Sequence, residues 1–424
     1  MAYRAWAAAA PLRERRQRYK RYTYGDQWSD IVRDSKGRLR REEDILLESG
    51  KKPAVNNLIR QLVKSVVGRY RTQAVEKGVY DGGLAYVAED NLLPELDSRL
   101  LEDFLISGTA VQRISATEGS EMPVVVNVGL RHFFVNAFKD SRGRDIDMVG
   151  MLHDMTFPEV ARRFSGGRRS EVERLRSLFA GVVTVEAAAG AVGLPAADVD
   201  FFRPDDAARC RVIELWTLDS HINNIGDTDE VRFSTRWHCR WLAPDGTLLA
   251  EYDSPFGHGS HPFAVKFYPL TDGEVHSFVE DLIDQQRSVN RLVVLIDKIL
   301  ATSAKGVLLF PNEQKPDNTS WDEITENWAQ SDGVIPITGK GDYLPQQVMT
   351  NPGGSGAYQL LQLQMKLFDD ISGVGDALLG RGTVSAKGVE MLDRQISNAT
   401  IALADIFESF TSFIRMRNAK IERI

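Results

Sequence analysis

Residues 272–300, DGEVHSFVEDLIDQQRSVNRLVVLIDKIL, constrain the fold of this chain more than any other stretch. Phe278, Leu282, Val289, Leu292, Ile296 and Ile299 recur at steps of three and four, which stacks them on one helical face. Asp272 is placed to cap the start, and no Pro or Gly interrupts the run after Gly273 until Lys305-Gly306. The pattern predicts one helix of roughly 40 Å. A helix of that length crosses a bundle, a membrane or the wall of an assembly. Glu280, Asp281, Asp284, Arg287, Arg291, Asp297 and Lys298 make it too charged for lipid.

The rest of the 424 residues offers no membrane span either, since no window holds about 18 uncharged apolar residues. The N-terminus, MAYRAWAAAAPLRERRQRYKRY, has its charges after a short Ala-rich run, the reverse of a secretory leader. With only Cys210 and Cys239 there is no disulfide framework, which fits a reducing compartment. A net charge of −7 excludes a dominantly basic nucleic-acid binder but leaves room for local basic patches.

Along the chain the predicted class is α+β. Residues 1–115 read as mainly helical, with helices in VNNLIRQLVKSVVGRYRTQ after Pro53 and in LLPELDSRLLEDFLISGTA. Residues 121–270 read as strands and turns (VVVNVGL, RHFFVNAF, CRVIELWTL, EVRFSTRWHCRWLA, PFAVKFYPL), with a helical insert at 157–190. Beyond the long helix, 306–311 and 333–339 read as strands and 321–330 as a short helix. Residues 358–374 read as a helix, and the last helix runs from about Val389 to Ile421. The connection at 373–388, GVGDALLGRGTVSAKG, exceeds the two to about eight residues that join most helices. Its glycines open positive φ to the backbone, and Arg381 and Lys387 flank Thr383 and Ser385.

Catalytic signals are scarce. There is no GxxxxGK[ST], HExxH, GxSxG or CxxC. His258 and His261 lie in a Gly-Ser loop with no further ligand at zinc spacing, so turn and packing roles are expected. His238 and Cys239 alternate on a strand and face opposite sides. Asp140, Asp145, Asp147 and Asp154 cluster around a turn. A metal-dependent nuclease would need two or three of them to converge on one ion, and a solvated turn is the expectation. The run Arg13, Arg15, Arg16, Arg18, Lys20, Arg21 has Tyr19, Tyr22 and Tyr24 beside it. That pattern is compatible with nucleic acid, though a solvated helix face is the simpler reading.

Taken in order, these pieces resemble the portal proteins of tailed bacteriophages, particularly those of short-tailed phages. The residues that carry the resemblance are PAVNNLIRQLVKSVVGRYR, HPFAVKFYPLTDGEVHSFVEDLIDQQRSVNRL, KGVLLFP and ISGVGDALLGRGTVSAKGVEMLDRQ. Asp284, Gln285, Gln286, Arg287 and Asn290 are similar to the family's helix pattern. Gly380, Ser385, Gly388 and Arg394 are similar to its loop-to-helix passage.

The resemblance implies a non-enzymatic, cofactor-free and metal-free ring, usually dodecameric, at one capsid vertex of the virion, assembled in the host bacterial cytoplasm. It implies N-terminal helices and wing at 1–273, a first stem helix at 274–303, a clip at 304–352 and a second stem helix at 353–372. A tunnel loop at 373–388 and a long wing helix at 389–424, leading towards the crown, complete the layout. The implied partners are further copies of the chain, double-stranded DNA bound without sequence preference, the large terminase, major capsid and scaffolding proteins, and neck or adaptor proteins. No membrane is implied. Arg381, Thr383, Ser385 and Lys387 would face the DNA channel. Asp284, Arg287, Arg291 and Asp297 would make stem contacts between subunits, and Trp321, Glu323 and Trp328 would lie on the clip's partner-binding surface. A nuclease using the 140–154 acids and a helical protein-interaction scaffold are the rival readings.

Overall fold

The computed structural model describes residues 1–76, 78–80, 83–116, 122–191, 200–224, 231–303, 307–329, 334–339, 341, 343–348, 354–374, 401 and 403–424. Two compact units emerge, each built from separate stretches of chain. The first comprises Met1–Asp26, Asn57–Ile283 and Asp369–Ile424, the second Gln27–Asn56 and Asp284–Phe368. Residues 27–56, kept with the wing in the sequence reading, pack with the second unit.

In chain order the elements are α1 (Ala2–Ala8), α2 (Ala10–Tyr24), β1 (Ile31–Arg33), β2 (Leu39–Arg41), α3 (Glu42–Glu48), α4 (Leu58–Glu76), α5 (Ala85–Asp90) and α6 (Leu93–Ser107). Strands β3 (Thr109–Ala116), β4 (Pro123–Asn127), β5 (Phe133–Val135) and β6 (Met148–Met155) follow, then α7 (Phe157–Phe164) and α8 (Arg169–Ala191). Next come β7 (Cys210–Asn224), β8 (Val231–Leu242), β9 (Leu248–Asp253), β10 (Phe263–Phe267), β11 (Leu270–Thr271) and β12 (Glu274–Val275). The chain continues through α9 (Ile283–Ser303), β13 (Val307–Leu309), α10 (Trp321–Ala329), β14 (Gln346–Val348), α11 (Gly354–Ser372) and α12 (Ala404–Ile421). The predicted α+β class holds.

Two antiparallel sheets organise the first unit: β5-β6-β7-β8-β9 and β10-β3-β4. Strand β7 is covered on both faces, so its apolar residues run almost unbroken. Val212 and Trp216 enter a core with Val111, Phe263 and Trp241. The alternate residues Ile213 and Leu215 meet Ala5 and Trp6 of α1. Strand β6, absent from the sequence reading, lies between β5 and β7 and pairs with β7 from Met148↔Thr217 to Met155↔Cys210. Helix α6 ends at Gly108, whose φ is +67°. A Cβ there would stand 2.1 Å from the His276 carbonyl oxygen, so only glycine fits.

The long helix starts later than the periodicity predicts. Asp272 (φ +52°) and Gly273 (φ +82°) form the two-residue turn joining β11 to β12, so Asp272 caps nothing. An Asp-Gly pair reads as a tight hairpin turn, and this local preference overrides the helical repeat across 272–276. The helical entry is instead set at Ser277. Its hydroxyl accepts from the Glu280 amide at 3.1 Å, and the Glu280 carboxylate accepts from the Ser277 amide at 3.2 Å. This reciprocal pair is a capping box, followed by one 3-10 turn at Glu280–Leu282 and then α9.

In the second unit, β1 and β2 form a hairpin around Gly37. The Asp34 carboxylate fixes that turn by accepting from the amides of Lys36 (2.9 Å) and Arg38 (2.8 Å). Strand β13 pairs antiparallel with β14. The strand predicted at 333–339 is not formed by its described residues, 334–339. Pro336 lacks an N–H to give a ladder, and the Thr338 amide bonds the Gln314 carbonyl at 3.1 Å instead.

Candidate assembly surface

Helix α9 and the 27–56 segment are joined by buried amides. Gln286 Nε2 donates to the Asn56 carbonyl at 2.6 Å and to Asn290 Oδ1 at 3.1 Å. Asn290 Nδ2 donates to Gln27 Oε1 at 2.5 Å. Gln286 and Asn290 are both fully buried, which is stable only because each amide finds partners. One turn away, Glu42 of α3 receives both arginines of the helix: Arg287 Nη2 at 3.1 Å and Arg291 Nε at 2.8 Å. Two of the four predicted stem-contact residues therefore bind within their own chain. The other two, Asp284 and Asp297, are exposed.

Beyond α9, Gln314 organises the 307–348 segment. Its side chain is buried, accepts from the Gly339 amide at 3.0 Å and donates to the Tyr343 carbonyl at 3.1 Å. Ser320 opens α10 by accepting from the Glu323 amide at 3.0 Å. Trp321 stands edge-on to Phe310 with ring centroids 6.0 Å apart. Trp321 and Glu323 are exposed and Trp328 is half-buried. The predicted clip residues thus share one short helix with an open surface. Arg381, Thr383, Ser385 and Lys387, along with Gly380, Gly388 and Arg394, lie outside the described residues.

Exposed apolar side chains are frequent here: Leu295 and Leu300 on α9, Tyr358, Leu360, Leu363 and Met365 on α11. Sequence reasoning marked the charged face of α9 as the contact surface and passed over these. The signal was available in LVVLIDKIL, which is apolar around most of the helix circumference.

The sites that would mark an enzyme are engaged in structure. Asp140 pairs with Arg142 at 3.0 Å, and Asp145 accepts from the Asp140 amide at 3.1 Å. Asp154 is on β6 and binds the buried Arg211 at 2.8 Å. Asp154, His132 and Asp205 do come within ion-binding distance of one another. However, Arg211 is set against Asp154, and Arg131 is paired with Asp205 at 3.3 Å, so guanidinium groups supply the positive charge there. Burial lowers the His132 pKa.

His258 and His261 each accept a backbone N–H through Nδ1, at 3.1 and 3.2 Å, as turn and packing residues do. Burial holds His258 down at about 4 and His261 well below its ordinary value. His238 lies between Asp253 (2.8 Å) and Glu251 (3.4 Å), while burial raises the neighbouring Cys239 thiol to about 12.

The N-terminal basic run turns much of its charge inward. Arg13 stacks on Trp6 at 3.6 Å, Arg16 binds Asp103 at 3.0 Å, and Tyr19 and Tyr22 are buried. These residues depart from a solvated helix face, because their own fold engages them.

Compared with known proteins, residues 1–421 match the family model described as "Phage P22-like portal protein". The match begins well before Pro53, the first of the residues that carry the sequence resemblance. No curated protein matches the chain.

Proposed function

Because this chain belongs to the phage P22-like portal protein family, we propose a division of its portal work among the segments described above. The chain is a non-enzymatic portal protein: it forms the ring-shaped DNA conduit at one capsid vertex for packaging, retention and ejection of the genome. No described helix is long and apolar enough to cross a membrane.

Twelve copies close the ring in the host cytoplasm, with 1–273 as the N-terminal helices and wing. The hairpin and capping box lead into the first stem helix at 283–303, and 353–372 forms the second stem helix. Residues 304–352 are the clip, which receives the large terminase through Trp321, Glu323 and Trp328 and later the neck or adaptor proteins. Scaffolding and major capsid proteins meet the wing. The tunnel loop, 373–388, points Arg381 and Lys387 at the phosphates, with Thr383 and Ser385 between them, and 389–424 leads towards the crown. A channel for a moving duplex should hold few phosphates, since each neutralised one adds salt-sensitive grip. One or two basic residues per subunit, multiplied by symmetry, meet that need. The translocation energy then comes from the terminase, not from this chain.

The observation that carries the reading is the family match across 1–421. Native mass measurement with negative-stain microscopy tests it. A closed ring near twelve chains is the expected species, and a stable monomer at high concentration refutes it. Replacing Arg381 and Lys387 together with Ala should leave the ring intact and impair DNA packaging or retention. Normal packaging and retention would remove the loop's assigned role.

A further inference from the structure

Helix α11 leaves apolar side chains exposed on two flanks. Tyr358 and Met365, two turns apart, share one flank, at 58% and 39% exposure. Leu360 and Leu363 share the opposite flank, at 44% and 50%. Phe368 lies between these flanks on the inward side and is buried, while Gln359, Gln362 and Lys366 run along the back. A helix of a monomer buries one apolar stripe, and here the chain buries the Phe368 side and leaves both flanks exposed.

Helix α9 presents the complement. Its second half carries Leu295 at 43% exposure and Leu300 at 62%. These residues and the flanks of α11 each keep 39–62% of their surface exposed within one chain, which leaves that surface for a partner. Closing a ring requires a heterologous interface, in which two different patches of the same chain meet. The edges of the patches are complementary in charge as well. Exposed Asp297 lies one turn before Leu300, and exposed Lys366 one turn after Leu363. The occupant that fits is therefore a second copy of this chain, given that the family forms rings.

We infer that Leu360 and Leu363 of one subunit pack on Leu295 and Leu300 of the next, with Lys366 meeting Asp297. This rests on the ring reading above and deepens it. It also revises the expected stem contact: Arg287 and Arg291 are bound to Glu42 in their own chain, and of the exposed Asp284 and Asp297 it is Asp297 that lies beside the leucines.

The test is cross-linking of the purified assembly. The variant carrying Leu300→Cys and Leu363→Cys, treated with a short bismaleimide, should give a ladder of covalent multimers on a denaturing gel. Each single variant should not, and the wild-type chain controls for Cys210 and Cys239. In parallel, Asp297→Lys and Lys366→Asp should each lower the ring fraction at low salt, and their combination should restore it. A wild-type ring whose double-cysteine variant gives no ladder overturns this pairing alone. A charge-swapped combination no better than its singles does the same. A wild-type chain that forms no ring overturns the portal ring reading, and this pairing with it.

Discussion

Arg417 Nη1 donates to Asp97 Oδ1 at 2.9 Å, and both side chains are fully excluded from solvent. The pair joins α12 to α6 across 320 residues of sequence. Asp97 also accepts from Gln112 Nε2 at 2.9 Å and from the Tyr80 hydroxyl at 3.2 Å. An ion pair this deep needs its polar atoms partnered: both Asp97 oxygens are, while Arg417 Nη2 finds no partner among the described residues.

Removing one member should therefore cost more than removing both. Asp97→Ala leaves a buried guanidinium uncompensated and should destabilise by about 3–5 kcal/mol. Asp97→Leu combined with Arg417→Met should recover most of that loss. Urea unfolding of the three proteins measures it, and a double variant no better than the single would refute the account.

Gly108 should not tolerate a side chain. With φ at +67° and the His276 carbonyl where a Cβ would be, Gly108→Ala should cost about 1–3 kcal/mol through backbone strain. Thermal unfolding checks this, with Gly166→Ala as the comparison: its φ is also positive, but nothing lies within 4 Å.

Lys420 should make stability rise with alkaline pH. Its amine donates to the carbonyls of His261 (2.7 Å) and Phe263 (2.8 Å), and burial pulls its pKa from 10.5 to about 7. Between those values the unfolded chain binds the extra proton, so unfolding free energy should increase as pH rises from about 7 to 10.5. Lys420→Met should flatten that rise. An unchanged pH profile in the variant would show that Lys420 does not titrate in this window.

Glu42 should hold the 27–56 segment to α9. Glu42→Gln weakens the charge-assisted bonds from Arg287 and Arg291 and should destabilise by about 2 kcal/mol. Hydrogen exchange should rise at 39–48 before it rises elsewhere in the second unit. Uniform exchange across the unit would show that the carboxylate is not the anchor.

Gln314→Ala should loosen the 307–348 segment without unfolding it. The Gly339 amide and Tyr343 carbonyl lose their partner, so limited proteolysis should speed up within 334–348. Cleavage at the wild-type rate would argue against Gln314 as the organiser.

Much of this architecture is readable from local sequence. Helix α6 carries its own apolar repeat and stops at Gly108, and α10 follows Ser320 in a capping arrangement. The strand-rich block and the order of elements around α9 were also legible, and the family match bears out the portal resemblance drawn from them. The start of α9 could have been found too, because Asp272-Gly273 is a hairpin signal and Ser277 with Glu280 a capping box. The apolar repeat, read alone, masked both.

What sequence could not supply is which polar groups are buried, because the answer depends on partners far away. Glu214 looks like any strand acid. In the fold it is fully buried, and Arg113 of β3 together with His153 of β6 holds its pKa well below the ordinary carboxylate value. Strand β6 itself has a weak local pattern and exists through pairing with β5 and β7. Likewise, the charges of α9 announced a wet or shared face, but only the packed chain shows two of its arginines committed to Glu42 and its leucines left open. Local preference needs only a few consecutive residues, so the sequence alone determined the helices and turns. Burying a charge or exposing a leucine is decided by segments hundreds of residues apart, so the tertiary structure alone assigned those roles.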